Sequence, residues 1–309
     1  MSREKYSMRL KTLSTTGVSI PEVGLGTWNY HAGPGPLRKG LEAGALFIDT
    51  AESYGTERVV RDAIAGMRDS VFIATKVSPE NFHDTALRKS VDSSLFKLGV
   101  EVIDLLQLHE PNRSIPIEET MGAMAELVDA GKVRFIGVSN FSVLQLQEAQ
   151  KALSRFRIVS NQVRFSLVDR TIEKDLLQHC QKERVAVIAY SPLARQFDRI
   201  RDCDPLKIID KLARTLGKSP AQIALNWCLC RDGVVVIPKG NSVEHIIDNC
   251  GASDWRLDEE QLQLLDQNIK YRQRSTFDVW IRRAMPSGMS KLAVQAANYL
   301  PRSLRRRIQ

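Results

Sequence analysis

The chain has 309 residues, 43% hydrophobic and 26% charged, an ordinary globular composition with room for one large α/β domain or two smaller ones. No apolar run approaches the roughly 20 residues of a membrane-spanning helix. The five cysteines, at 180, 203, 228, 230 and 250, form no C-x-x-C pair, which argues against a disulfide framework or zinc site and for a reducing, cytoplasmic setting.

The N-terminal MSREKYSMRLKTL lacks the continuous apolar core of a signal peptide. The net charge of +8 belongs to the tail, because residues 271–309 hold nine basic residues against one acid, Asp278. Residues 1–270 are therefore neutral overall and give no reason to expect a nucleic-acid partner.

Residues 8–22, MRLKTLSTTGVSIPE, predict a hairpin turning at Thr16-Gly17. A first strand follows at VGLGTW (23–28) and a second at LFID (46–49). A helix between them, near 36–44, is opposed by the GPGP ahead of it. Helical spacing near 57–66 leads to a third strand, VFIATK (71–76). Residues 84–98 carry Leu87, Val91 and Leu95 on one face, with Asp84 as the expected N-cap and Gly99 just past the end.

Then come VIDLLQLH (102–109), a helix at 117–130 preceded by Pro116, and RFIGVSN (134–140). After a helix at 142–152 the pattern repeats with RIVSNQ (157–162), a helix at 172–183 and VAVIAY (185–190). Helices at 205–217 and 219–231 precede the last strand, VVVIPK (234–239). The runs are short, often β-branched and apolar on both faces, as parallel strands covered by helices are. Eight strands with intervening helices and no Gly/Ser- or Pro-rich linker predict a single (β/α)8 TIM barrel over residues 1–270. The N-terminal β-hairpin stands ahead of it and a basic C-terminal tail, 271–309, behind. A two-domain doubly wound protein is the alternative.

A parallel barrel collects the C-terminal ends of its strands on one face, where active sites form. Read in order, the second strand ends at Asp49, with Tyr54 in its loop, the third at Lys76 and the fourth at His109. The fifth ends in Ser139-Asn140, the sixth in Asn161-Gln162, the seventh in Tyr190-Ser191 and the eighth at Lys239. Any one of these is explained by a helix cap; together they make a chemical unit.

Asp49 is expected to hold Lys76 charged, Lys76 to lower the pKa of Tyr54, and His109 to orient a substrate oxygen. Tyr54 is then a general acid for an oxygen that gains charge, as a carbonyl does when hydride adds to it. The Rossmann fingerprint for a hydride carrier is absent, since GLGTWN (24–29) lacks the third glycine. Barrels bind phosphate near the loops after the last two strands, here YSPLA (190–194) and IPKGNSVEHIIDN (237–249). Ser242 caps the helix that follows, Lys239 adds charge, and Tyr190 suits stacking on a nicotinamide.

GLGTWNY, FIDTAESYGTE, FIATKV, IDLLQLHEP, GKVRFIGVSNF, SNQV, AYSPLA and VIPKGNSVEHIIDN, in this order, resemble the aldo-keto reductases over residues 8 to about 268. The resemblance implies an NADP(H)-dependent carbonyl reductase with NAD(H) as a second candidate cofactor. It implies a tetrad of Asp49, Tyr54, Lys76 and His109 with Tyr54 as proton donor, and a small carbonyl substrate. Ser139, Asn140 and Gln162 would hold the carboxamide, and Tyr190 would stack on the ring. Lys239, Ser242 and Asn249 would hold the adenosine end, with Gly26, Thr27, Asp49, Ser191, Leu193, Gly240 and His245 as further cofactor contacts.

Two positions depart from the family. Many relatives carry an arginine for the 2′-phosphate where His245 stands, and an ordinary histidine is mostly neutral at pH 7. Glu110 stands where better-known mammalian members have an aromatic residue, which with the short loop 109–116 implies a more open, polar substrate pocket. Trp28, Tyr54, His109 and Glu110 would line that pocket, with Tyr30 and Phe82 as further apolar walls.

Outside the resemblance, Phe277, Trp280, Ile281 and Ala284 fall at helical spacing among arginines, which suits either a helix packed on the barrel with solvated arginines or an amphipathic element for an acidic partner or an anionic membrane surface. The competing functional reading is a non-catalytic nicotinamide-binding regulator of the channel-subunit kind. A metal-dependent hydrolase is disfavoured, because only His109 of the five histidines ends a strand.

Overall fold

The computed structural model describes residues 8–273. The chain opens with the hairpin β1 (Leu10–Thr12) and β2 (Ser19–Pro21), antiparallel, its loop turned by Gly17 at φ 74°. The barrel strands follow as β3 (Leu25–Gly26), β4 (Phe47–Asp49), β5 (Phe72–Val77), β6 (Ile103–Leu108), β7 (Val133–Ser139), β8 (Ile158–Arg164), β9 (Ala186–Tyr190) and β10 (Val234–Ile237). Each pairs in parallel with the next. Bonds from Gly24 N–H to the Val236 carbonyl (2.8 Å) and from Val236 N–H to the Glu22 carbonyl (2.9 Å) close β10 onto the first strand. The closure is tight: a Cβ on Gly26 would stand 2.6 Å from the Ile237 carbonyl oxygen.

The helices are α1 (Pro34–Glu42), α2 (Glu57–Ala63), α3 (Asp84–Leu98), α4 (Ile117–Asp129), α5 (Val143–Ala152), α6 (Leu176–Lys182), α7 (Asp198–Asp202), α8 (Ile208–Leu216), α9 (Pro220–Leu229), α10 (Val243–Cys250) and α11 (Glu259–Asn268). Ser142, Ser219 and Asp258 each start a helix with a reciprocal Gln three residues on, satisfying backbone donors that the helix leaves open.

Several local expectations are corrected. The helix discounted for its GPGP exists as α1. Pro34 and Pro36 fall in its first turn, where the missing N–H groups would have no intrahelical partner. Asp84 is the first residue of α3 and not its cap. His83 holds the cap position without a side-chain bond to the helix backbone, and Glu119 of α4, 3.0 Å from His83 Nδ1, accepts the Asp84 N–H at 3.2 Å. The segment 172–183 divides into a 3₁₀ turn, Thr171–Lys174, and α6. Sequence periodicity does not predict α7 or α11. The tail pattern of Phe277, Trp280, Ile281 and Ala284 lies outside the described residues.

Two apolar cores result. The larger packs the outer strand faces against the helices. The smaller fills the barrel with Phe47, Phe72, Ala74, Leu105, Val159, Ala186, Ile188, Val235 and Ile237, and includes Leu13 and Ile20 from the hairpin region. The interior is therefore packed at one end and free to open only at the other.

Candidate active site

Side chains alternate across a strand with a period of two. Phe72 and Ala74 face the barrel interior, so Lys76 falls on the same face one step nearer the mouth. The same parity carries Phe47 to Asp49, Leu105 to Gln107 and on to His109, and Ala186 and Ile188 to Tyr190.

Asp49 and Lys76 are almost completely buried, and Lys76 Nζ donates to Asp49 Oδ1 at 2.5 Å and to the Thr50 carbonyl at 2.8 Å. Asp49 Oδ2 accepts from Gln162 Nε2 at 2.7 Å and Gln107 Nε2 at 3.2 Å, so both carboxylate oxygens are engaged. Tyr54 ends a 3₁₀ turn, Glu52–Tyr54, that lays its ring 4.9 Å from Lys76 Nζ and its hydroxyl 3.3 Å from His109 Nε2. The four residues expected to meet do so, with Gln107 as a further member. Its sequence signal is a lone amide inside the apolar run IDLLQL.

The electrostatics correct one expectation. The pKa of Tyr54 is not lowered overall, despite the nearby Lys76. Burial raises it, and the charge of Asp49 adds to the rise, with smaller contributions from Tyr190 and Glu110. The phenol keeps its proton firmly because a phenolate there would lose hydration and face the Asp49 carboxylate. Burial likewise pushes the Lys76 ammonium down while Asp49 holds it up. His109 is pushed down to about 4 by burial and then by the Lys76 charge, against a smaller opposing effect of Glu52. At neutral pH the site holds a protonated phenol beside a neutral imidazole.

These groups floor a bowl of about 640 Å³. Of the expected cofactor contacts, Gly26, Asp49, Ser139, Asn140, Gln162, Tyr190, Ser191, Leu193 and Lys239 line it. Thr27 does not; it is buried, bonding the Asp49 carbonyl at 3.0 Å and the Thr56 hydroxyl at 2.9 Å. Gly240, Ser242, His245 and Asn249 lie off the bowl, on α10 and the segment leading into it. Ser242 caps that helix, accepting the His245 N–H at 3.3 Å. A Cβ on Gly240 would meet the Ile246 backbone nitrogen at 3.0 Å.

Tyr190 donates to Asn140 Oδ1 at 3.0 Å and carries the Arg164 guanidinium over its ring at 5.7 Å. Asn140 and Ser191, at the ends of β7 and β9, hold left-handed backbone at φ 64° and 50°, costly for non-glycine residues and typical of functional positions. Trp28 and Glu110 line the bowl as expected, but Tyr30 and Phe82 do not. Each is 4% exposed or less, and the Tyr30 hydroxyl is spent on the Gly33 carbonyl at 2.6 Å. Sequence reading missed Asn29, Ser53, Pro192, Arg195, Gln196, Arg199 and Pro238. The Arg195 guanidinium lies 4.8 Å from the Trp28 ring, joining two loops far apart in sequence.

Amide and hydroxyl groups at the strand ends, an aromatic ring, a lysine and a capped helix N-terminus form a donor set that fits a nicotinamide dinucleotide: polar groups for a carboxamide, a flat ring, and positive potential for phosphate.

Comparison with known proteins agrees with this geometry. Residues 22–270 match the model of the Aldo/keto reductase family. The methylglyoxal reductase YeaE of Escherichia coli K12 is 36% identical over 273 residues, covering 84% of this chain and 95% of its own. The aldo-keto reductase YhdN of Bacillus subtilis is 31% identical over 276 residues, covering 73% and 82%. Among solved structures, an aldo-keto reductase from Klebsiella pneumoniae in complex with NADPH superposes with a TM-score of 0.78 at 38% identity, over 87% of this chain and 98% of that one.

Proposed function

The chain belongs to the aldo/keto reductase family, and on that premise we propose that it reduces aldehyde and ketone carbonyls to alcohols with NADP(H), Tyr54 giving the proton. One observation carries the reading: a protonated phenol 3.3 Å from a neutral imidazole, beside a buried lysine–aspartate pair, on the floor of an open bowl. When bound, the nicotinamide supplies the hydride.

Tyr54 Oη and His109 Nε2 are close enough to address one carbonyl oxygen together, with His109 donating from its Nε2–H tautomer. As charge builds on that oxygen, Tyr54 transfers its proton and becomes a phenolate. Lys76, 4.9 Å from the ring, stabilises that anion. Asp49 keeps Lys76 charged through the step, and the phenolate recovers its proton from water. Ser139, Asn140 and Gln162 suit the carboxamide, Tyr190 the ring, and the segment from Lys239 to Asn249 the phosphate and adenosine end.

NADP(H) is supported by the NADPH complex of the Klebsiella relative; NAD(H) remains the second candidate, since His245 offers no permanent charge. The methylglyoxal reductase similarity and the polar wall at Glu110, Ser53 and Asn29 favour small polar aldehydes and dicarbonyls. The intact cluster favours catalysis over a purely regulatory role. Purified protein is expected to consume NADPH with methylglyoxal or a reactive aldehyde and to form the corresponding alcohol. Cofactor binding without turnover across a panel of carbonyls would overturn the reading in favour of a non-catalytic regulator.

The same proposal includes a cytoplasmic setting and the division at 270/271. Among the described residues no helix is long and apolar enough to cross a membrane. Deleting residues 272–309 and measuring binding to anionic vesicles tests the basic tail as a membrane or acidic-partner element.

A further inference from the structure

Glu52 opens the turn whose last residue is Tyr54, yet it does not line the bowl. Its Oε1 accepts from the Ser78 backbone N–H at 2.6 Å and from Asn81 Nδ2 at 3.0 Å, and its Oε2 accepts from the Ser90 hydroxyl. Ser78 directly follows β5, the strand that carries Lys76. Asn81 ends the next turn, Pro79–Asn81, and Ser90 belongs to α3. One carboxylate thus ties the Tyr54 turn through three donors to two other segments, the exit of β5 with its following turn and α3. Burial works against its charge, but the bonds from Ser90, Ser78 and Asn81 outweigh burial and hold its pKa below the usual carboxylate range.

The neighbouring loop is tied in as well. Asn112 Nδ2 donates to the Pro79 carbonyl at 2.8 Å, and His109 N–H to the Val77 carbonyl at 3.0 Å. The segments bearing Lys76 and His109 are therefore fastened to each other. The Tyr54 turn is a single 3₁₀ turn whose own backbone contributes the bond from Tyr54 N–H to the Ala51 carbonyl at 3.0 Å. Such a turn is weak alone, so an external clamp has to fix where its last side chain stands.

We propose that Glu52 is a positioning residue for the reduction: its carboxylate clamps the Tyr54 turn to the exit of β5 and so sets the distance from Tyr54 Oη to His109 Nε2. The inference rests on the reductase reading above. A displacement of about 1 Å at a reacting group costs roughly 100-fold in rate, so a clamp two residues from the acid is felt at the chemical step.

The test is a cycle of wild type, Glu52→Gln, Tyr54→Phe and the double variant, with kcat and KM for each. Melting curves and NADPH fluorescence titrations establish folding and cofactor binding. Glutamine keeps the size of the side chain and can still meet the Ser90 hydroxyl, but it replaces the charged acceptor of the Ser78 and Asn81 bonds with a neutral amide, which weakens the clamp. In the wild-type background kcat is expected to fall about 10- to 100-fold with little change in KM for NADPH. In the Tyr54→Phe background the same change is expected to cost less than about twofold, because both changes fail at the same step.

An unchanged kcat in Glu52→Gln, or the same loss in both backgrounds, would overturn the inference, since a general effect on the fold multiplies through. If Glu52→Gln does not fold, Asn81→Ala and Ser90→Ala carry the same cycle by removing the donors one at a time. Wild type that turns over no carbonyl overturns the reductase reading itself; active wild type with no coupling overturns the role of Glu52 alone.

Discussion

At the base of the barrel, a lysine and a carboxylate, Lys11 and Glu22, are held by separate partners, whereas Lys76 and Asp49 at its mouth hold each other. Lys11 donates to the carbonyls of Leu229 (2.7 Å), Arg231 (3.1 Å) and Val234 (2.7 Å), and burial pushes its pKa down to about 8. Glu22, fully buried, accepts from Ser253 Oγ at 2.7 Å and from both terminal nitrogens of Arg256. Both ends therefore bury a carboxylate and perturb a lysine. At the base, each of these polar groups is bonded to protein away from the bowl. At the mouth, the Tyr54 hydroxyl and His109 meet each other at a cavity wall and face the space where a substrate fits. A perturbed proton affinity records burial; an exchangeable proton at the edge of a cavity is what makes the mouth a reaction site.

Tyr54→Phe would break that comparison most sharply. It is expected to lower kcat by roughly 10²–10⁴-fold, the usual worth of a positioned general acid, with NADPH affinity and melting temperature nearly unchanged. Steady-state kinetics beside a fluorescence titration measure both, and retention of most of the turnover would remove the acid.

A matched pair of charge deletions comes next. Lys76→Met leaves Asp49 buried and unpaired, which costs about 3–5 kcal/mol of stability, and it removes the phenolate's counter-charge, so kcat falls as well. Arg256→Ala likewise strands the fully buried Glu22 carboxylate, so it is expected to cost a comparable amount, about 3–5 kcal/mol, but to leave kcat per folded molecule alone. Urea denaturation and kcat on both variants separate the ends; equal catalytic losses would erase the distinction.

The pH dependence has the same sign at the two ends and differs in range. Lys11 titrates near 8 folded against about 10.5 unfolded. Between those values the unfolded chain binds more protons, so stability rises with pH there as the penalty of a buried ammonium is relieved. The melting temperature of wild type relative to Lys11→Met should climb through that window. His109, held to about 4 against an ordinary 6.5, acts in the opposite range. Its contribution to stability is lost as pH falls from 6.5 towards 4, and kcat/KM should stay level to about pH 5 before dropping. An acid limb centred near 6.5 would mean that the imidazole is not desolvated as described.

The placement of Asp49, Lys76, His109 and Tyr190 at one mouth was legible because it depends only on strand period and strand end, whereas Gln107, one step inside its strand, was not singled out. Strand period and strand end are both written locally in β-branched, two-sided apolar runs. What else was not legible came from partners far along the chain. Glu119 meets the start of α3 from 35 residues away, and nothing near Asp84 announces it. Tyr30 and Phe82 read as pocket walls from their neighbourhood in sequence, but packing against helices took them into the core. The sign of the Tyr54 shift was missed for a related reason: a lysine's proximity can be read from strand order, whereas the depth of burial that outweighs its charge depends on the whole barrel.

The smallest effect belongs to the rim, where solvent weakens every charge. His245 is exposed, on the first turns of α10 behind the Ser242 cap, where the family resemblance leads one to expect a phosphate-binding arginine. His245→Arg adds a permanent guanidinium able to pair with phosphate through two parallel bonds. An exposed pair of this kind is worth about 0.5–1 kcal/mol, so KM for NADPH should fall about 2- to 5-fold while KM for NADH stays put. The gain should shrink with added salt, because the pair is screened, in contrast to the almost completely buried Asp49–Lys76 pair. If both cofactors respond alike, residue 245 does not see the 2′-phosphate, and discrimination between NADP(H) and NAD(H) has to come from other cations of the mouth, Lys239, Arg195 or Arg199.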